Sequence, residues 1–114
     1  MSAAAEIAVQ RRGEAVVAHL AGEVDMTNAA FVRDELLGAM PNDAMALVLE
    51  LGDCRYLDSA AIEVLFDIVR RLRRRRQELR LVVPPGSPLA RLLELTEVGS
   101  VALLHQSEEA ALGQ

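Results

Sequence analysis

The stretch over residues 47–76 constrains the fold most, because two different hydrophobic periodicities follow one another there. Residues 47–51 form a short apolar run followed by polar, turn-forming residues, which predicts a buried strand. From Ile62 onward the apolar residues recur every three or four positions, as they do on one face of a helix. They are Ile62, Leu65, Phe66, Val69 and Leu72. The sequence therefore predicts a strand that leads through a short turn into an amphipathic helix.

Asp58 and Ser59 stand where this predicted helix begins. With Asp58 as the N-cap, Leu57 and Ile62 take the two positions of a hydrophobic staple, and Ser59 is the first helical residue with its hydroxyl pointing outward. Free backbone N–H groups and the helix dipole stabilise an added negative charge there by roughly 0.3–1 kcal/mol. Two interpretations stay open: the hydroxyl of Ser59 accepts a phosphate, or it only helps to cap the helix.

The rest of the chain alternates between strand and helix patterns. Strands are predicted over residues 6–10, 15–20, 78–83 and 101–104, and helices over 28–40, with Asn28 as the cap, 89–96 and 108–112. The first two strands form a hairpin, and helices that alternate with strands imply parallel pairing afterwards. We therefore expect a single α/β domain over residues 1–114, with a mixed, mostly parallel sheet of about five strands and about four helices.

Two short motifs in this order resemble the STAS domain family, the sulphate-transporter and anti-sigma-factor-antagonist domains. The first is Leu57-Asp58-Ser59 between a strand and an amphipathic helix. The second is Gly22-Glu23-Val24-Asp25, which is similar to the Gly-Glu-Leu-Asp sequence that ends the second strand in the family. After the serine this chain continues Ala60-Ala61-Ile62, where the family often has Ser-Gly-Leu or Thr-Gly-Leu.

The resemblance implies a function that composition alone does not give. In bacterial anti-sigma factor antagonists of the family, the serine at the position of Ser59 is phosphorylated by the partner, an anti-sigma factor with serine kinase activity. The same resemblance places Asp25 at the surface of this serine and implies a partner-binding segment; an aspartate that simply ends the strand is the alternative for Asp25. Its expected residues are Asp25, Asp58, Ser59, Ala60, Ala61, Ile62 and Glu63. The alternatives are a STAS-like accessory subunit of a membrane ABC transporter and a scaffold in a signalling complex.

Charge and composition argue against direct nucleic-acid binding. The formal net charge is −5, only 3% of the residues are aromatic and there is no Trp, so a basic surface and stacking platforms are both lacking. The exception is the arginine-rich segment 70–76, which we interpret as a solvated helix end where Asp67 pairs with Arg70 or Arg71, with an acidic partner or a membrane surface as the alternative.

The inventory of reactive groups predicts a protein that is not an enzyme and has no cofactor or metal. Cys54 is the only cysteine, and His19 and His105 lie in apolar strand patterns typical of structural histidines. No leader peptide and no apolar run long enough to cross a bilayer are present. We therefore expect a cytoplasmic protein, without membrane insertion, that is a monomer or a weak dimer.

Overall fold

The computed structural model describes residues 5–113, which form one α/β unit of six strands and five helices. Residues 1–4 and 114 of the predicted domain lie outside the described residues. The prediction that there is no leader peptide rested in part on residues 1–4. The elements in chain order are β1 (Ala5–Arg12), β2 (Ala15–Val24), α1 (Ala29–Gly38), β3 (Ala46–Glu50), β4 (Cys54–Leu57), α2 (Ser59–Arg74), β5 (Glu78–Val82), α3 (Pro88–Leu95), α4 (Val98–Val101), β6 (Leu103–His105) and α5 (Glu108–Leu112).

The sheet is mixed, as predicted, and mostly parallel. Its strand order is β1-β2-β3-β5-β6, and β4 pairs with the last residues of β2. Only β1 and β2 are antiparallel, because a two-residue turn at Gly13 and Glu14 joins them; every other pair is parallel. Since β2 runs on to Val24, its carboxyl end extends past β3 and reaches β4.

Helix α2 packs its apolar stripe on the sheet between α1 and α4, and α3 packs on β4 and α4. Leu65, Ile68 and Leu72 are at most 4% exposed, and each stabilises the fold by roughly 1.5–3 kcal/mol relative to an exposed position. The other face of the sheet is covered in part by α5, through Ala111 and the partly buried Leu112. The main core therefore lies between the sheet and the first four helices, and it fixes where α2 begins.

Two elements were not predicted, β2 runs four residues past its predicted end at Leu20, and the predicted start of the last strand was wrong. The segment between β3 and α2, expected to be only a turn, contains the strand β4. Gly99, expected to permit a turn, lies inside the one-turn helix α4, so the last strand begins at Leu103 and not at Val101. A Cβ atom on Gly99 would lie 3.1 Å from the Leu93 carbonyl oxygen, which explains the glycine by close packing.

The arginine-rich end of α2 follows the expectation for a solvated helix end. Asp67 forms ion pairs with Arg70 at 3.3 Å and with Arg71 at 3.2 Å, at the spacings i,i+3 and i,i+4. Both arginines remain about half exposed. This confirms the predicted pairing of Asp67, and such exposed pairs contribute little to stability.

Candidate functional site

The loop after β2 and the first turn of α2 meet because β2 and β4 are parallel neighbours. Val24 lies opposite Leu57 in the ladder, so the two strands end side by side. The next residues, Asp25 and Asp58, therefore lie at the same edge of the sheet. The backbone N–H of Asp58 donates to the Val24 carbonyl at 3.2 Å. The structure thus brings together the two acidic motifs that the sequence keeps apart.

The carboxylate of Asp58 joins the two segments. Its Oδ1 accepts a hydrogen bond from the Ala61 N–H at 3.0 Å, which is the predicted N-cap bond of α2. Its Oδ2 accepts one from the Met26 N–H at 3.1 Å, in the loop that follows β2. One side chain therefore fixes both the start of α2 and the position of the Asp25 loop relative to it.

The loop from Asp25 to Asn28 is ordered by its own side chains. Asp25 accepts hydrogen bonds from the Thr27 hydroxyl and, at 2.9 Å, from the Thr27 N–H; these bonds hold the pKa of the Asp25 carboxyl below its usual 3.8. Asn28 precedes α1 as predicted, but its side chain does not cap the helix. Its amide binds the Asp25 N–H and the Glu23 carbonyl instead, because those backbone groups face it across the tight loop.

Ser59 is the first residue of α2 and is exposed to solvent. Within residues 5–113, the N–H groups of Ser59 and Ala60 have no hydrogen-bond acceptor, as is usual at the first turn of a helix. Ala61 is buried beneath them, Ile62 is half-buried, and Glu63 is exposed on the next turn. The residues predicted to bind a partner therefore present one hydroxyl, three acidic side chains (Asp25, Asp58 and Glu63) and two free N–H donors.

Two grooves flank this segment. One, of about 480 Å³, lies between α1 and α2 and is lined by Met26, Ala60 and Glu63 among others. The other, of about 420 Å³, lies between α2 and α3 and is lined by Ser59, Ile62 and Leu92. Glu63 borders both grooves. The staple residues Leu57 and Ile62 line the second groove with apolar side chains, so the start of α2 forms one side of this groove.

Sequence reasoning missed the apolar contribution to this surface. Met26 is 79% exposed, lies directly after Asp25 and lines the groove between α1 and α2. An apolar residue inside an otherwise polar loop was the available signal for Met26. Methionine is enriched at protein–protein interfaces relative to the rest of the surface.

Elsewhere the reactive groups are placed as structural residues or at the surface. Cys54 is buried, and burial raises the pKa of its thiol although Arg55 is close by. His19 is exposed on β2, not buried in the apolar pattern where it was expected, and its ring lies 3.4 Å from Glu108. Over residues 5–113 there is neither a cluster of metal-ligating side chains nor a helix long and apolar enough to span a membrane.

Known proteins with the same architecture include several anti-sigma factor antagonists. The anti-sigma-F factor antagonist RsfA of Mycobacterium tuberculosis is 29% identical over 98% of this chain and 88% of its own length. An anti-sigma factor antagonist from Mycobacterium paratuberculosis superposes with a TM-score of 0.83 at 20% identity, covering 96% of this chain and 92% of its own.

SpoIIAA is a further structural relative, solved in two states. Its unphosphorylated form superposes with a TM-score of 0.73 at 17% identity, covering 94% of this chain and 93% of that one. The phosphorylated form of the Bacillus protein gives 0.65 at 20% identity, with 95% and 97% covered. At these identities the likeness shows the fold. The STAS domain family itself matches residues 6–111, so this chain belongs to the STAS domain family.

Proposed function

We propose that the protein is an anti-sigma factor antagonist that binds an anti-sigma factor with serine kinase activity and is released when that kinase phosphorylates Ser59. The observation that carries this proposal is the exposed Ser59 at the start of α2, beside an acidic loop tied to it by Asp58. Support comes from the STAS family match and from the relative named as an anti-sigma-F factor antagonist. Because sigma factors act on cytoplasmic RNA polymerase, the cytoplasm is the proposed location.

The proposed docking surface combines charge with apolar anchors. It comprises Asp25, Asp58, Ser59, Ala60, Ile62 and Glu63, together with the exposed Met26; Ala61, also predicted to bind the partner, is only 2% exposed and is not part of the surface. Buried Ala61 supports this surface from beneath, and Ile62 and Met26 offer apolar area to a partner that fills the two grooves. In such interfaces a few central apolar contacts carry most of the binding energy, and the surrounding charges set the association rate and the choice of partner.

Phosphorylation would change this surface far more than it changes the fold. A phosphate on Ser59 adds about −1.5 to −2 charges at pH 7. The free N–H groups of Ser59 and Ala60 and the helix dipole stabilise that charge within the protein. For a bound partner, the same charge adds to Asp58 and Glu63 and places a strongly hydrated group between the two grooves. We therefore expect phosphorylation to abolish binding while the domain stays folded.

The central experiment identifies the partner and then tests Ser59. Proteins that co-purify from the native cell are identified, and the co-purified serine kinase is incubated with ATP and the wild-type protein or Ser59→Ala. Mass spectrometry should find phosphate on Ser59 of the wild type alone. Phosphate on another residue, or none, would contradict the proposed switch. Co-purification with the ATPase of a membrane transporter and no kinase would support the accessory-subunit alternative.

Affinity measurements separate the switch from nonspecific charge. Ser59→Asp should weaken binding to the kinase by about tenfold or more, whereas Ser100→Asp, at an exposed serine on α4, should leave it unchanged. Glu63→Lys should also weaken binding, with Glu109→Lys on α5 as the control at another exposed glutamate. Neither α2 variant should lower the melting temperature appreciably. A parallel loss of binding and stability would indicate a folding defect and not a docking residue.

A further inference from the structure

Strand β1 has a free edge on one side of the sheet. Its eight residues pair antiparallel with β2, and no other strand among residues 5–113 pairs with its outer side. The opposite edge of the sheet, β6, has only three residues. A long unprotected edge presents a row of unpaired N–H and C=O groups, which proteins normally shorten, bulge or cover.

The turn geometry shows which backbone groups face outward. Gly13 has φ +63° at the first central position of the two-residue turn, as type II′ hairpin turns require. In such a hairpin the flanking residues Arg12 and Ala15 form a hydrogen-bonded pair, and the pairs then alternate along the ladder. The N–H and C=O groups of Ile7, Val9 and Arg11 therefore point away from β2.

The side chains of this edge are complementary to themselves. We propose that the outer edge of β1 pairs antiparallel with the same edge of a second copy of this chain, about a two-fold axis at Val9. Val9, which is 48% exposed, then lies opposite Val9 of the other copy, and Glu6 lies opposite Arg12 in both directions. Glu6 has no ion-pair partner among the described residues, and the Arg12 side chain is 47% exposed.

Charge selects both the direction and the register of this pairing. Parallel pairing in register places Glu6 against Glu6 and Arg12 against Arg12, and like charges directly opposite are destabilising. If the two antiparallel β1 strands are shifted by two residues in either direction, Glu6 no longer lies opposite Arg12 of the other copy, and Val9 no longer lies opposite Val9. Only the antiparallel register centred on Val9 satisfies both charged pairs and joins the exposed valines.

The resulting dimer has one continuous sheet of twelve strands, six from each copy. A single strand pair buries a small area compared with permanent dimers, so the association is weak and reversible. Because β2 separates β1 from β4, the start of α2 lies outside the contact and stays open in both copies. The dimer is therefore independent of the proposed phosphorylation and is tested separately.

Sedimentation velocity and backbone NMR of the full chain test this pairing. Raising the concentration from micromolar to about 1 mM should shift the protein from a 12.4 kDa monomer towards twice that mass, with amide exchange slowed at Ile7, Val9 and Arg11. Glu6→Arg and Arg12→Glu should each lower the association constant by about tenfold, and the double variant should restore it. Arg12→Glu alone also breaks the ion pair between Arg12 and Glu108 within the chain. Restored association in the double variant therefore shows that the contact between Glu6 and Arg12 is responsible.

A proline variant tests the backbone contribution. Val9→Pro removes an outward N–H and none of the hydrogen bonds between β1 and β2, so it should abolish dimerisation; Val9→Thr keeps the N–H and should retain it. If Val9→Pro lowers the melting temperature, its loss of dimerisation is not counted, and the test rests on Glu6→Arg, Arg12→Glu and their double variant. A protein that stays monomeric at about 1 mM, or an association that ignores the charge reversals, overturns the proposal.

Discussion

Replacing Asp58 separates the two hydrogen bonds that its carboxylate makes. In Asp58→Asn the single amide oxygen can still accept from the Ala61 N–H, but the amide nitrogen cannot accept from the Met26 N–H. In Asp58→Ala both bonds are lost. The pair of variants therefore distinguishes the helix cap from the bond that ties the Asp25 loop to α2.

The expected losses of stability follow from these contacts. Asp58→Asn removes one hydrogen bond, with a net contribution of about 0.5–1.5 kcal/mol, and a negative charge at the helix start, with about 0.3–1 kcal/mol. We expect a decrease of about 1–2.5 kcal/mol in the free energy of unfolding. Asp58→Ala also loses the cap bond, so its decrease should be larger by about 0.5–2 kcal/mol.

Urea denaturation measures both decreases. Asp53→Asn is the matched control, because Asp53 is exposed and its side chain makes no hydrogen bond within residues 5–113; its effect should stay within about 0.5 kcal/mol. In 1 M salt the interaction of the Asp58 charge with the helix start is screened. The decrease in the free energy of unfolding that remains for Asp58→Asn then measures the hydrogen bond to Met26. If Asp58→Asn matches Asp53→Asn in 1 M salt, the bond to Met26 does not stabilise the protein and the reasoning fails.

Two further predictions concern packing and pH. Gly99→Ala should lower the free energy of unfolding by about 1–3 kcal/mol, because the new methyl group meets the Leu93 carbonyl oxygen at 3.1 Å. Gly38→Ala, with open space at the end of α1, should raise it by about 0.4–1 kcal/mol. Urea titrations that give both changes the same sign would contradict this prediction. Because the pKa of Asp25 lies below its ordinary 3.8 in the folded protein, its contribution is present above that value and lost as the pH falls through the folded pKa. The stability difference between wild type and Asp25→Asn should therefore shrink in acid, and a difference that stays constant from neutral pH to below 3.8 would refute it.

The sequence predicted the elements whose signal is local. Helix α2 carries a long apolar stripe and a cap residue, and β3 is a continuous apolar run, so both were identified. Strand β4 was missed because its four residues include Arg55 and Tyr56, both exposed, and it exists through pairing with the end of β2. Helix α4 was missed because valine and glycine have low helix propensity, and contacts with α2 and α3 hold it.

The same distinction explains which parts of the site were predictable. The cap by Asp58 depends on a residue three positions away, and the structure contains it as expected. The bond from Met26 to Asp58 joins residues 32 positions apart, and no local pattern encodes it. Asn28 has the composition of a cap, yet its amide serves the preceding loop, because tertiary geometry offers it better-placed partners.

The geometry of Asp58 has a consequence for the proposed switch. Two backbone donors hold the Asp58 carboxylate, so turning away from a phosphate on the neighbouring Ser59 would break both hydrogen bonds. In the proposed phosphorylated state the two negative groups would lie side by side, and the unpaired N–H groups of the first turn would offset their repulsion in the free protein. A partner bound over this turn, as proposed, would compete for the same donors and meet both charges. The rigidity that Asp58 gives to the helix start is thus what we propose converts a local modification into a loss of binding.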